Sequence, residues 1–139
     1  MLLRRKTVLV VEDHPRDRAA IRKVLSRMGL EVVETTDRHS AMNQLVFLRP
    51  DLICLDLVLP ESSGYELCES IRQSSAHCEL PLLVLSERAS PADRAHAVEV
   101  GASAFLSKPF TDAALRTRVL TLLESADRDA AGPMRISKR

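Results

Sequence analysis

Short strand-like runs alternate with longer periodic segments along the whole chain. The runs are Thr7–Val11, Glu31–Thr35, Leu52–Leu55, Leu82–Leu85 and Ala104–Leu106. In the segments that follow them, apolar residues recur every three or four positions, which is typical of helices with one buried face. Strands that alternate with amphipathic helices form a parallel sheet with crossover connections. The pattern therefore predicts an α/β fold with five parallel strands and five helices.

Capping and stop signals bound the helical segments. Gly29 and Gly101 stand where a left-handed residue would end the first and fourth helices. The third helix is expected to begin at about Gly64. The run from Ser90 to Asp93 supplies a cap, a first-turn proline and an acidic third residue, which together mark a helix start. Thr111 is expected to open the last helix.

The composition changes after Leu123 to a polar segment that contains Gly132 and Pro133. This change predicts one domain over about residues 6–124, followed by a flexible tail or the start of a linker over 125–139. No helix-turn-helix or catalytic pattern follows Leu123. The sequence is therefore expected to be either a stand-alone domain that works by protein contact or a fragment of a longer protein that is cut after its linker.

Charge and cysteine content narrow the functional class. The formal net charge is +1, so no basic excess predicts direct binding to nucleic acid. Cys54, Cys68 and Cys78 are odd in number and lack CxxC spacing, which argues against a disulfide framework or a zinc ribbon and favours a reducing cytoplasm. No apolar run approaches the ~18 residues that span a membrane, and the run after the N-terminal MLLRRK is too short for a signal peptide.

A single carboxylate interrupts the apolar stretch LICLDLVLP at residues 52–60. A continuous apolar run of this kind belongs to a strand that is buried on both faces. An unpaired charge in such a place is strongly unfavourable, so Asp56 is expected to have a charged partner or a chemical role.

Polar residues follow four of the predicted strands. Glu12 and Asp13 come after the first strand, Asp56 after the third, Ser86 after the fourth and Lys108 after the fifth. The carboxyl ends of parallel strands share one edge of the sheet, so these side chains are expected to meet there. Three carboxylates that repel one another favour a shared divalent cation, and Mg²⁺ prefers such oxygen ligands. Asp13 and Asp56 are the expected direct ligands, with Glu12 acting through water.

The remaining groups suit an incoming anion. Ser86 and Lys108 are hydrogen-bond donors, and a phosphoryl group supplies oxygens for them. The Asp56 carboxylate could act as the nucleophile while the metal and Lys108 neutralise charge on the transferred group.

Each of these residues also has a simpler interpretation. Glu12 and Asp13 could cap the following helix. Ser86 alone fits a turn, Lys108 alone fits a solvated surface, and Asp56 alone could begin the proline turn after it. The joint placement at four strand ends favours the shared site.

Four motifs occur in a fixed order: VLVVEDHP, DLICLDLVLPESSGYEL, VLSE and GASAFLSKPF. Together they resemble the receiver domain of bacterial two-component response regulators over about residues 6–124. The resemblance implies a CheY-like, flavodoxin-like fold, which is a doubly wound parallel sheet in strand order 2-1-3-4-5. It implies a phosphoacceptor switch whose only catalysis is phosphoryl transfer to, and loss from, Asp56.

The resemblance also implies partners and a cofactor. A sensor histidine kinase or phosphotransfer protein would supply the phosphoryl group. Mg²⁺ would be held by Glu12, Asp13, Asp56 and the backbone carbonyl of Val58. A downstream protein, or a second copy in a homodimer, would bind the surface of the fourth helix, fifth strand and fifth helix.

The switch itself is implied by three further positions. Ser86 would move toward the phosphoryl group, and Phe105 would turn inward to fill the vacated space. The Lys108–Pro109 peptide bond would be cis.

Two alternatives remain open. Glu87 places a bulky acid beside the acceptor, which favours a receiver-like docking module that acts without phosphorylation. An aspartate-nucleophile phosphohydrolase also begins with an aspartate at a strand end, but it needs a second acid where Val58 stands. Glycine-rich nucleotide-binding loops are absent from the sequence.

Overall fold

The computed structural model describes residues 5–131, so the expectations for residues 1–4 and 132–139 lie outside the described residues. Five strands alternate with five helices. In chain order they are β1 Thr7–Val11, α1 Pro15–Arg27, β2 Glu31–Thr35, α2 Arg38–Phe47, β3 Leu52–Leu55, α3 Gly64–Gln73, β4 Leu82–Ser86, α4 Pro91–Glu99, β5 Ala104–Ser107 and α5 Asp112–Ala131.

The five strands form one parallel sheet in the order β2-β1-β3-β4-β5. This arrangement confirms the predicted doubly wound α/β fold and its strand order. A short antiparallel ladder between Val58–Leu59 and Ser62–Ser63 was not predicted, since the sequence indicated only a proline loop there. Glu61 makes the turn of this ladder with a positive φ of 56°.

The central strands are buried on both faces, which explains their uninterrupted apolar sequences. Alternate side chains of each strand point to opposite sides, so the sheet separates two hydrophobic clusters. One cluster joins Leu9 and Ile53 to α2 and α3, and the other joins Val10 and Leu83 to α1 and α5. Each strand is therefore fixed in register by burial on two sides, and its carboxyl end is held at a defined place.

Side-chain caps set the starts of the helices after β2, β3 and β4. Asp37, Ser63 and Ser90 each accept a hydrogen bond from the backbone of the third helical residue. At α4 the Ser90 hydroxyl accepts from the Asp93 amide at 3.0 Å, and Pro91 occupies the first turn. This start of α4 confirms the capping signal in the sequence.

Helix α5 continues through Ala131, so residues 125–131 are helical where the change of composition predicted a flexible tail. Alanine and arginine favour helix, and residues 112–131 contain no glycine or proline. The added turns also contact the body of the domain, because Lys6 Nζ lies 2.8 Å from Asp127 Oδ1.

The three cysteines are free thiols, as expected from their number and spacing. Cys54 and Cys68 lie in the core, where burial raises the pKa of each thiol to about 12. Among the described residues, no helix has the length and apolar character required to cross a bilayer.

Candidate functional site

A cleft of about 470 Å³ lies at the edge of the sheet formed by the carboxyl ends of the strands. Its walls come from the loops after β1, β3, β4 and β5 and from the first turn of α1. The lining residues are Glu12, Asp13, His14, Arg16, Asp17, Asp56, Val58, Glu87 and Lys108. The structure therefore brings together the acidic residues and the lysine that the sequence placed at this edge.

Lys108 contacts three of the acidic residues that line the cleft. Its ammonium donates hydrogen bonds to Glu12 Oε1 at 2.7 Å, Asp56 Oδ2 at 2.8 Å and Asp17 Oδ2 at 2.9 Å. The lysine side chain is only 6% exposed, so these carboxylates replace the water that it has lost. A buried ammonium with three acidic partners is held as a cation, which refutes the interpretation of Lys108 as a solvated surface charge.

Two opposing effects, burial and hydrogen bonding, set the pKa of Lys108. Burial alone would lower the pKa, because it disfavours the charged form. The hydrogen bonds to Asp56, Glu12 and Asp17 outweigh burial and raise the pKa above its usual value. Lys108 therefore stays protonated throughout the physiological range.

Asp56 directly follows β3, whose apolar residues fix its backbone. Its amide donates to the Val11 carbonyl at 3.1 Å, which extends the sheet pairing by one residue. One carboxylate oxygen, Oδ1, accepts from the Val58 amide at 3.1 Å, while Oδ2 faces Lys108. The side chain is 11% exposed, and it lines the cleft. Asp56 is thus fixed by hydrogen bonds to both carboxylate oxygens and still lines the cleft.

Glu12 is the most deeply buried acid of the site, with a side chain that is 2% exposed. Its second oxygen, Oε2, accepts from the His14 amide at 3.1 Å. Burial raises the pKa of this carboxyl, although the hydrogen bond from Lys108 opposes the rise. The negative charge of Glu12 is therefore opposed by burial and favoured by Lys108.

Asp13 lies beside Glu12 but is exposed, and it lines the same cleft. The Arg18 guanidinium donates to the backbone carbonyls of Glu12 and Asp13 at 3.0 Å and 3.3 Å, which fixes the loop after β1. These contacts leave the Asp13 carboxylate facing solvent at the wall of the cleft.

The oxygen-rich lining fits a hard cation. Within the described residues, no group of three or more His, Cys, Asp or Glu side chains is arranged to hold a metal by itself. Mg²⁺ does not need such a group, because it keeps several waters and is commonly bound by one or two carboxylates. Asp13 and Asp56 both line the cleft, as does Val58. The set of donors therefore has the chemistry that Mg²⁺ requires.

Ser86 lies at the end of β4 and is fully buried. It is not among the residues that line the cleft. Its hydroxyl oxygen accepts from the Arg88 amide at 3.1 Å, so the loop after β4 turns around it. Glu87, the next residue, does line the cleft. The structure thus places the acid of this loop, rather than the hydroxyl, at the cleft wall.

Phe105 and Pro109 complete the predicted set. Phe105 on β5 is 9% exposed, and the Arg94 guanidinium lies over its ring at 4.7 Å from the centroid. Arg118 on α5 donates a hydrogen bond to the Phe105 carbonyl. The Lys108–Pro109 peptide bond is cis.

The sequence interpretation missed Asp17, the third acid that contacts Lys108. A usable signal was present, since α1 begins at Pro15, close behind Glu12 and Asp13. An acidic residue in the first turn of such a helix must lie near the same edge of the sheet.

Comparison with known proteins agrees with this geometry. The family model for the response regulator receiver domain matches residues 8–120. The phosphate regulon transcriptional regulatory protein PhoB of Escherichia coli is 35% identical over 118 residues, which cover 85% of this chain and 52% of that protein. The KDP operon transcriptional regulatory protein KdpE of Escherichia coli is 37% identical over 116 residues, covering 84% and 50% respectively. The chain spans about half the length of the curated relatives it matches.

Solved structures share the fold over almost their whole length. The chemotaxis response regulator CheY4 of Vibrio cholerae superposes with a TM-score of 0.81 at 28% identity, covering 86% of this chain and 99% of that one. A signal receiver domain of a signal transduction histidine kinase from Syntrophus aciditrophicus gives a TM-score of 0.82 at 30% identity, covering 88% and 93%. The matched family model and the shared fold show that this chain belongs to the response regulator receiver domains of two-component systems.

Proposed function

We propose that the protein is a phosphorylation switch in which Asp56 accepts a phosphoryl group. The observation that carries this proposal is the contact of the buried Lys108 ammonium with Asp56 Oδ2 at 2.8 Å, inside a cleft open to a donor. An ammonium at this place would neutralise the negative charge of transferred phosphoryl oxygens without any rearrangement of the backbone.

The transfer needs one nucleophile and one leaving group. A carboxylate oxygen of Asp56 forms the new P–O bond to the phosphorus. The P–N bond of a phosphohistidine on the donor breaks, and its electron pair returns to the imidazole nitrogen. Lys108 stays protonated during this step, because its three acidic partners raise its pKa. It therefore acts as a fixed positive charge and not as an acid.

Mg²⁺ is the proposed cofactor. Asp13, Asp56 and the Val58 backbone carbonyl would hold it directly, with Glu12 acting through water. When bound, the ion would neutralise charge on the equatorial oxygens of the phosphoryl group. The support for this assignment is the hard-oxygen lining of the cleft.

The proposed partners follow from family membership. A sensor histidine kinase or a phosphotransfer protein is the expected phosphoryl donor, because the chain belongs to the response regulator receiver domains of two-component systems. Ser86 and Phe105 would carry the change from the cleft to the face formed by α4, β5 and α5. A downstream protein or a second copy of the chain would bind that face.

Beryllofluoride, which mimics a phosphoryl group on a carboxylate, tests the proposal. With Mg²⁺ present, we expect it to shift the backbone amide NMR signals at Asp56, Ser86 and Phe105. Fluoride and Mg²⁺ without beryllium should leave those signals in place. Folded protein whose spectrum does not respond to beryllofluoride and Mg²⁺ would contradict the proposed function.

A phosphorylation-independent docking module is the second candidate. Glu87 favours it, because this carboxylate lines the cleft into which a phosphoryl group must fit. A partner that binds wild type and Asp56→Asn equally well, with no response to Mg²⁺, would support this role.

A further inference from the structure

The ammonium of Lys108 has no hydrogen-bond donor to spare. A lysine ammonium carries three N–H donors, and Glu12, Asp56 and Asp17 each accept one within 2.9 Å. A phosphoryl oxygen that arrives at Asp56 needs at least one of these donors. One of the three carboxylates must therefore give up its hydrogen bond when the site is loaded.

The three carboxylates differ in how much each would be destabilised by losing its hydrogen bond from Lys108. Glu12 is 2% exposed and is also held by the His14 amide, so releasing it would strand a buried anion. Asp56 is itself the acceptor and must stay beside the lysine. Asp17 is 35% exposed, and the exposed His14 ring lies beside it, with Nδ1 at 3.9 Å from Asp17 Oδ2. Water can replace Lys108 at Asp17 with the smallest loss.

We propose that Asp17 is a positioning residue that occupies the third donor of Lys108 in the resting protein and yields it to the incoming phosphoryl group. Asp17 thereby sets a threshold for loading Asp56. It does not contact the reacting atoms. This inference rests on the proposed phosphoacceptor role of Asp56, and it assigns a regulatory part to a residue outside the predicted catalytic and metal-binding set.

The Asp17 side chain opposes the binding of a phosphoryl group at Asp56 in two ways. It holds Lys108 in a charge-assisted hydrogen bond, which an arriving anion must displace. Its negative charge also faces the space that a phosphoryl dianion would enter, and the two anions repel. Asparagine has the same shape without the charge, so Asp17→Asn weakens both effects.

The test is a titration with beryllofluoride at saturating Mg²⁺, followed by NMR. Asp17→Asn is expected to bind beryllofluoride about tenfold more tightly than wild type, as the loss of one charged hydrogen bond implies. Asp17→Glu keeps the carboxylate and should bind as wild type does. The affinity for Mg²⁺ is measured separately in each variant, so that a change in metal binding is not mistaken for a change in anion binding.

Glu87→Gln is the matched control. Glu87 lines the same cleft but accepts none of the hydrogen bonds of the Lys108 ammonium, so this variant removes an equal charge without freeing a donor. A smaller gain than that of Asp17→Asn is expected. The ¹⁵N signal of the Lys108 ammonium gives a direct readout, because Asp17→Asn should move it in the unloaded protein and Glu87→Gln should not.

The outcomes separate the two proposals. If wild type does not bind beryllofluoride at all, the proposed function fails. If wild type binds and Asp17→Asn binds equally or more weakly, only the role of Asp17 fails. An equal gain in Glu87→Gln would also overturn that role, since the effect would then be a general one of charge. Thermal melts of all variants show whether each is folded at the temperature of the titration.

Discussion

Asp56→Asn is expected to incorporate no phosphoryl group from acetyl phosphate and Mg²⁺, under conditions in which wild type incorporates one. The carboxylate of Asp56 supplies the attacking oxygen, and an amide oxygen is too weak a nucleophile to replace it. The substitution keeps the size of the side chain and an oxygen that can still accept from the Val58 amide, which is 3.1 Å from Oδ1 in wild type. Intact-protein mass spectrometry measures the incorporation.

Asp37→Asn is the control for this substitution. Asp37 caps α2 through a hydrogen bond from the Ser40 amide at 2.7 Å and does not line the cleft. Asparagine is an equally good cap, so the variant should be folded and should incorporate phosphoryl as wild type does. Labelling of Asp56→Asn to the wild-type extent would refute the assignment of the acceptor.

Lys108→Met is expected to lower the free energy of unfolding by about 3 kcal/mol at neutral pH in the presence of EDTA. Methionine has a similar length but no charge, so the buried Glu12 and Asp56 lose the cation that they share. Urea denaturation followed by circular dichroism measures the change. Lys23→Met, which removes an exposed lysine of α1, should change stability by less than about 1 kcal/mol.

The loss in Lys108→Met should shrink as the pH falls from about 8 to about 5. Burial already raises the pKa of Glu12 in wild type, and removal of the ammonium raises it further. A carboxyl with a raised pKa binds more protons in the folded state than in the unfolded state, so the stability of the variant falls as the pH rises through this window.

In the wild type, the contribution of Lys108 to stability depends on pH only in the alkaline range. Its folded-state pKa is raised above the ordinary value, so its contribution to stability is complete below about pH 10 and is lost only at higher pH. The wild-type curve should therefore show no loss from Lys108 between about pH 5 and about pH 8. A deficit in Lys108→Met that is constant across this window would contradict the shared-cation account.

The sheet was predictable because its strands carry continuous apolar sequences. Leu52–Leu55 and Leu82–Ser86 lie near the centre and are buried on both faces, as expected for strands of a parallel sheet that is covered by helices on both sides. The site was predictable for a related reason. Parallel strands with right-handed crossovers bring their carboxyl ends to one edge, so Glu12, Asp56 and Lys108 could be placed together without coordinates.

The features that escaped prediction depend on local geometry. The first turn of α1 could have placed Asp17 near the same edge of the sheet, but its 2.9 Å hydrogen bond from Lys108 depends on side-chain geometry that the sequence does not state. The burial of Ser86 depends on how the loop after β4 folds around its hydroxyl, which accepts from the Arg88 amide. The continuation of α5 to Ala131 depends on helix propensity in a polar segment, which hydrophobic periodicity does not detect.

The central claim is that Asp56 carries the phosphoryl group, and chemical trapping tests it most directly. Wild type is incubated with acetyl phosphate and Mg²⁺ and is then reduced with borohydride, which converts an aspartyl phosphate to homoserine. Peptide mass spectrometry locates the change. We expect homoserine at residue 56 and at no other aspartate. Homoserine at Asp13 or Asp17, or none in protein that remains folded, would contradict it.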